Sequence, residues 1–386
     1  MMYKIFKRIF LKETKRKYLN LRGIITKRYA YKGPDVVQID LTDRCDSHCL
    51  ICWIHSPLLK EDKEINTNKL DFPILKQFIN DIAKLGTKEI IFSGGGEPFL
   101  YPKAWEVLEF VQKTGLLFRL NTNFTSLNKE DINRLLTFNK LASLTVSIWT
   151  GDAILYSKLH NRDVDIFYKV KNNLTLFNNS KPARLKARIC AVINNLNYHG
   201  LKSLVDLAIE TRCDVIEFTV PDVIPGVTDL FLLNKEQLNF VKQEFINIVK
   251  SLNSKNHRIK IDNKNIFLKR ISNPQACFGE YDTSIDRIPC YAGWTFLRLR
   301  ANGDFNSCLK SHRVPIGNIY KDNFLSTWNN FLQQEFRVNS LKVPKNKEYF
   351  RFMGNSNDKD IGCKRICDNI LVNEHLHKII KYLLWI

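Results

Sequence analysis

The chain has 386 residues, 44% of them hydrophobic, with 59 Lys or Arg against 39 Asp or Glu and a formal net charge of +20. That length and apolar content suit one large domain plus a small one. No uninterrupted apolar run approaches ~20 residues, which excludes a spanning helix, and the apolar N-terminal stretch is broken by Lys7, Arg8 and Lys12, so no signal peptide is expected.

Residues 1–35 form a basic segment. Eleven Lys or Arg and one acid, Glu13, fall within residues 1–32, so half of the net charge sits there. Met2, Ile5, Phe6, Ile9 and Phe10 follow the spacing of one helical face, with Lys4, Lys7, Arg8, Lys12 and Lys15 elsewhere around it. Two readings stand: an amphipathic helix packed on the fold with a solvated basic face, or a basic helix lying on an anionic membrane surface. Nucleic acid ranks last as a partner, since no nucleic-acid module is visible.

From Val36 on, β-rich runs alternate with amphipathic stretches. The strands are predicted at 36–42, 88–93, 116–121, 143–148, 184–192 and 214–220, with helices at 69–85, 102–114, 129–137, 165–178 and 199–210. Six such units in a row predict an α/β fold with parallel strands and right-handed crossovers over residues 36–225. Leu232–Leu252 reads as a further helix, within a connection at 226–285 that completes the core. Composition shifts after about Asn263, and late cysteines gather in a last unit at 286–386. Ten cysteines without a secretory signal point to metal ligands rather than disulfides, in a reducing compartment. The cytoplasm is the expected location, at the inner face of the membrane under the surface-binding reading.

Cys45, Cys49 and Cys52 form a C-x3-C-x2-C cluster just after the first predicted strand. Three thiolates on one loop can hold three irons of a cubane and leave the fourth open; the bland alternative is three buried thiols. The second strand runs into Gly94-Gly95-Gly96-Glu97-Pro98, which alone would read as a tight turn before a helix. Together, the two motifs resemble those of radical S-adenosylmethionine (SAM) enzymes. The resemblance implies a partial (β/α)6 barrel whose three-cysteine loop holds a [4Fe–4S] cluster. The open iron then chelates SAM, and Gly94 through Pro98 meet its methionine part. It also implies a reductant such as flavodoxin or ferredoxin. Strand-end residues become SAM-contact candidates: Asn123 beside Asn121 and Thr122, Ser147, and Arg188. A polar strand-end residue is as often a satisfied structural group. Where the family usually places an aromatic beside adenine, this chain has Ile51, with Trp53 just past the last cysteine, and the adenine contact is not assigned to Trp53.

Further on, Cys290 is followed by twelve residues, Gly303, four residues and Cys308, with Cys363 and Cys367 later. Strands near 294–300 and 304–308 predict a hairpin turning at Ala301-Asn302-Gly303-Asp304. The block resembles the SPASM or twitch extension of the same family, a small α+β subdomain. The four cysteines then suffice for one auxiliary [4Fe–4S] cluster; a structural zinc is the alternative. Cys190 and Cys213 are expected in the core. Cys277 is left open between an inert thiol, an extra ligand and a hydrogen-atom donor. The resemblance implies cleavage of SAM to a 5′-deoxyadenosyl radical that takes hydrogen from a substrate carbon. The expected chemistry is oxidation or epimerisation of a carbohydrate-like or lipid-linked small molecule. A peptide or protein maturase is the alternative, and a non-catalytic iron–sulfur electron carrier a distant one. No catalytic acid or base is named.

Overall fold

The computed structural model describes residues 2–59, 67–254, 257–355 and 361–384, and for residues 2–13 and 384 the backbone alone. In chain order, α1 (Met2–Thr26) leads to β1 (Val36–Ile39), α2 (Phe72–Lys84), β2 (Glu89–Phe92), α3 (Ala104–Thr114), β3 (Leu117–Thr122), α4 (Lys129–Leu136) and β4 (Leu141–Ser147). Next come α5 (Ala153–His160), α6 (Val164–Ser180), β5 (Lys186–Val192), α7 (Leu201–Glu210), β6 (Val215–Thr219), α8 (Lys235–Ser254), β7 (Lys260–Asp262) and α9 (Lys264–Ile271). The C-terminal part holds α10 (Ala292–Thr295), β8 (Phe296–Leu299), β9 (Asp304–Asn306), β10 (Gly317–Asn318), α11 (Phe324–Thr327), α12 (Phe331–Leu341) and α13 (Ile370–Leu384).

Local chemistry sets these boundaries. Asp71 caps α2 by accepting from the amide of Ile74, and Pro73 occupies its first turn. Asn128 and Asp131 form a reciprocal capping box on α4. Each helix turns a stripe inward, as α2 does with Leu75, Phe78, Ile79 and Ile82.

Among the described residues the strands form one ten-stranded sheet, ordered β10-β9-β8-β1-β2-β3-β4-β5-β6-β7. Strands β1 to β7 are parallel neighbours in chain order. With right-handed crossovers, that order puts the connecting helices on one face and curls the sheet into an open, partial (β/α) barrel. One parallel strand, β7, is added beyond the six expected.

The opposite face is polar and lies inside the curl. At the strand ends, Ser147, Cys190, Glu217 and Asp262 share one register row. Asn121, Thr145, Arg188 and Val215 share the row below. Cys213 is buried in the core as expected, whereas Cys190 is a correction: it stands half-buried on this inner face.

The predicted hairpin forms as β8 and β9, with Gly303 at φ +93° in its turn. It is not set apart from the barrel. β8 runs parallel to β1, pairing Val36 with Phe296 through Ile39 with Leu299.

The second half of α1 is docked. Ile24 and Asn20 are buried, Arg16 and Asn20 bind Asp35, and a Cβ on Gly23 would lie 2.8 Å from Trp294. For residues 14–26 this is the packed-helix arrangement. The apolar face of Met2, Ile5, Phe6, Ile9 and Phe10 lies outside the described side chains.

Candidate functional site

The chain leaves β1 through Asp40, Leu41, Thr42 and Asp43 and enters the cysteine loop. Asp40 is held by Arg298 of β8, whose Nε and Nη2 both donate to Oδ2, at 2.9 and 2.6 Å. Gln38 donates to the other oxygen at 3.1 Å. The glycine loop after β2 packs against this stem. A Cβ on Gly94 would fall 1.7 Å from Asp40 Oδ1, one on Gly95 1.8 Å from Asp43 Oδ1, and one on Gly96 2.0 Å from the Arg44 carbonyl oxygen. Gly94 also has φ +123°, so neither space nor backbone conformation admits a side chain.

Glu97 continues the interlock. Its amide donates to the Arg44 carbonyl at 2.9 Å. Its carboxylate accepts from Thr122 Oγ1 at 2.6 Å, the Asn123 amide at 2.8 Å and the Phe99 amide at 3.4 Å. Burial pushes Glu97 up to about 7, against the pull of these donors. Pro98 opens a short turn of 3-10 helix, Pro98–Leu100. Asn123 reaches back to the cysteine loop, donating to Asp46 Oδ1 at 2.6 Å and Ser47 Oγ at 3.1 Å, with Cys45 Sγ at 4.0 Å.

The three thiols are close enough to repel one another once ionised. Burial first, then the charges of Glu97, Cys52 and Asp46, push Cys45 up to about 12. Burial and the other two cysteines push Cys49 upward as well, and burial does the same to Cys52. Such a triad carries thiolate only with a positive centre among the sulfurs, the chemistry of an iron–sulfur ligand set. Two neighbours were not legible in the sequence. The His55 amide donates to Cys52 Sγ at 3.2 Å while its Nε2 sits 2.9 Å from the Gly95 carbonyl, and His160 Nδ1 lies 3.2 Å from Cys49 Sγ. Burial pushes His160 down to about 3, keeping the imidazole neutral.

The remaining candidates separate. Ser147 accepts from Trp149 Nε1 at 3.0 Å at the end of β4. Arg188 stands one register row below the strand end, held between Glu217 at 3.0 Å and Asp262 at 2.6 Å. Both contacts are made by Nη2, and one of the two carboxylates lies on the unforeseen β7. Ile51 packs with Trp149, Leu159, Val223 and Phe231, while the Arg298 guanidinium lies 4.8 Å over the Trp53 ring.

Cys290, Cys308, Cys363 and Cys367 line one cavity, with Phe336, Phe350, Met353 and Ile366 among its walls. Burial, and for all but Cys290 the neighbouring thiols, push these cysteines up, Cys308 to about 11. Four thiols facing one largely apolar cavity fit a fully ligated cluster. Their backbones are pinned. The Cys290 amide donates to the Ser340 carbonyl, and the Cys367 amide donates to Asp282, itself gripped by Arg270. Lys345 Nζ beside this cavity donates to the carbonyls of Ile288, Ser340 and Lys342. Cys277 is not part of this wall; its Sγ lies 3.7 Å from the Pro274 carbonyl. Among the described residues, no three His, Cys, Asp or Glu side chains converge as ligands to a single metal ion.

Residues 39–208 match the radical SAM superfamily, and residues 290–357 match an iron–sulfur cluster-binding domain, SPASM. The chain thus carries a radical SAM domain followed by a SPASM domain. Its two domains imply [4Fe–4S] clusters together with SAM. The second match ends before Cys363 and Cys367, which the fold nevertheless brings to the cavity of Cys290 and Cys308. One curated relative is the tungsten-containing aldehyde ferredoxin oxidoreductase cofactor-modifying protein of Pyrococcus furiosus. It is 26% identical over 98 residues, 25% of this chain and 26% of that protein. Another is the AdoMet-dependent heme synthase of Methanosarcina barkeri, 30% identical over 103 residues, 27% of this chain and 28% of that one. The chain thus matches about a quarter of the length of these relatives. Among solved structures, SuiB of Streptococcus suis bound to SAM superimposes with TM-score 0.61 at 18% identity, covering 80% of this chain and 68% of SuiB. The enzyme anSMEcpe with bound AdoMet gives TM-score 0.61 at 15% identity, over 90% and 100% of the two chains. These structures share the fold.

Proposed function

We propose that this radical SAM enzyme cleaves SAM reductively at a cluster held by Cys45, Cys49 and Cys52, with an auxiliary cluster on Cys290, Cys308, Cys363 and Cys367. The observation that carries the reading is the interlock of Gly94, Gly95 and Gly96 with Asp40, Asp43 and Arg44, which fixes bare backbone beside the triad. When bound, the first cluster and SAM supply a 5′-deoxyadenosyl radical that takes a hydrogen atom from a substrate carbon, and the second supplies an electron acceptor. The chain's own residues orient and exclude. Asn123 holds the cysteine loop through Asp46, and Glu97 fixes the end of β3 to the glycine loop. Lys310, two residues past Cys308, pairs with Asp222 beyond β6 and with Asp368 beside Cys367, closing the space between barrel and auxiliary site.

The substrate we favour is a polar small molecule, carbohydrate-like or lipid-linked, that undergoes oxidation or epimerisation. The polar row of Ser147, Cys190, Glu217 and Asp262 inside the barrel supports it. A second reading, modification of a peptide, draws on the likeness to SuiB bound to precursor peptide SuiA and to anSMEcpe bound to the Kp18Cys peptide. We place the enzyme in the cytoplasm, served by a flavodoxin or ferredoxin. No helix among the described residues is long and apolar enough to cross a membrane. The test is incubation of reconstituted, reduced protein with SAM and two pools, small polar metabolites and peptides, each perdeuterated. Formation of 5′-deoxyadenosine supports the activity, and deuterium in it identifies the pool. No 5′-deoxyadenosine from fully loaded protein would overturn the reading.

A further inference from the structure

The C-terminal end of α5 clamps the cysteine loop at three successive points. The Leu159 carbonyl accepts from the Leu50 amide at 2.9 Å. Arg162 donates to the Asp46 carbonyl and sits 3.8 Å from its carboxylate. Between them, His160 sets Nδ1 3.2 Å from Cys49 Sγ. The clamp is built by the sequence of the turn: Asn161 takes a left-handed φ of +49°, ending α5 and throwing Arg162 back toward the loop.

His160 is 1% exposed. Its ring is fixed from two sides, with centroids 4.8 Å from Trp149 and 4.3 Å from Tyr156. A neutral imidazole carries one N–H, and a ligating thiolate only accepts. The bond to Cys49 therefore places the proton on Nδ1. Nε2 is then a bare lone pair, and among the described residues it has no hydrogen-bond partner. The opposite tautomer would leave a buried N–H unpaired, the costlier arrangement.

We propose that His160 is a positioning and tuning residue of the SAM-cleaving site, donating Nδ1–H to Cys49 and raising the reduction potential of the cluster held there. The proposal rests on the assignment of the triad made above. A donor to a ligand sulfur withdraws charge from it and favours the reduced, more negative state. A ring clasped between two aromatics delivers that donor at a fixed angle.

Two measurements on the full, reconstituted chain decide it. With histidine labelled by 15N in the ring only, pulsed electron paramagnetic resonance of the reduced protein should show a weak nitrogen coupling. Ring-only labelling excludes the His55 amide that donates to Cys52. The coupling should vanish in His160→Phe. Its absence from wild-type protein whose spectrum still responds to SAM would overturn the hydrogen bond and leave the triad standing; a spectrum indifferent to SAM would overturn the triad itself. In redox titration, the SAM-responsive signal should shift to lower potential in His160→Phe, which keeps a ring but no donor. It should recover in His160→Asn, whose amide can reach the same place. Equal midpoints in all three proteins at equal iron content would sink the tuning role.

Discussion

Arg298 donates twice to one oxygen of Asp40, and the side chain of each residue is only 1% exposed. The pair ties β8 of the C-terminal hairpin to the stem from which the cysteine loop departs and against which Gly94 packs. Arg298 also reaches the Leu309 carbonyl at 3.4 Å, beside Cys308. A single guanidinium thus spans the two thiol sites. Replacing Arg298 by Met should cost about 3–5 kcal/mol, because it strands a buried carboxylate. The double variant with Asp40→Asn should recover part of that loss. Urea unfolding of the four proteins in a mutant cycle checks it, and additive losses would show that the pair does not act as a unit.

Gly94→Ala, at a φ of +123°, should lose SAM cleavage, since the new Cβ meets Asp40 Oδ1 at 1.7 Å and must push the two loops apart. Gly86→Ala is the control. It also has a positive φ, +84°, but nothing lies within 4 Å of the added carbon. It should cost about 1–2 kcal/mol of backbone strain and leave cleavage intact. Equal activity losses in the two variants would show that strain, not loop contact, matters at Gly94.

The two ligand sets predict about eight irons per chain as two four-iron clusters. Replacing Cys45, Cys49 and Cys52 by Ala should remove about half of the iron and all 5′-deoxyadenosine formation. Replacing Cys363 and Cys367 should remove the other half and spare the SAM-responsive signal. Metal analysis of the purified variants decides; zinc at the second site would contradict the auxiliary cluster.

Glu97 gives a pH signature in the cluster-free chain. Its ordinary value is 4.5 and burial raises it to about 7. Below 4.5 the carboxyl is protonated in both folded and unfolded chains. Between 4.5 and 7 the unfolded chain gives up its proton while the folded chain retains it, so stability falls as pH rises. The slope is about 1.4 kcal/mol per pH unit at most, and the loss is complete above about 7. Glu97→Gln should remove this part of the slope. Urea midpoints of both proteins at pH 5 and pH 8 test it: an unchanged difference between the two pH values would mean that Glu97 stays ionised in the fold.

At the N-terminus, a chain starting at residue 14 keeps the contacts of Arg16, Asn20 and Ile24, whereas one starting near Lys32 loses them. The shorter deletion should leave thermal stability unchanged, and the longer one should lower it. If the basic segment seeks an anionic surface, only the full chain will sediment with anionic vesicles at low salt, and less so at high salt. Equal sedimentation of the full chain and the residue-14 chain would rule out the first thirteen residues as the anchor.

The cysteine triad and the glycine loop are legible in the sequence because each is a local run at the end of a strand whose own pattern is plain. The late thiols are legible from the spacing of Cys290 and Cys308 around Gly303 and from the close pair Cys363 and Cys367. Other parts of the site depend on distant pairing. His160 comes to Cys49 across 111 positions and Arg298 to Asp40 across 258, and neither residue carries a local signal. Arg188 shows the limit of reading strand ends. Its strand runs on to Val192, and one of the two carboxylates that hold it lies on a three-residue strand too short to announce itself. Cys190 shows the limit of apolar context: in an alternating strand, its neighbours face the core while it faces the curl.

The parallel pairing of β1 with β8 has a consequence for the life of the nascent chain. One edge of β1 finds its partner strand only when residues 296–299 have left the ribosome, some 260 positions later. Until then the stem of the cysteine loop has an unpaired flank, and Asp40 has no Arg298. Translation thus passes Cys45, Cys49 and Cys52 long before Arg298 is available to hold the stem of their loop.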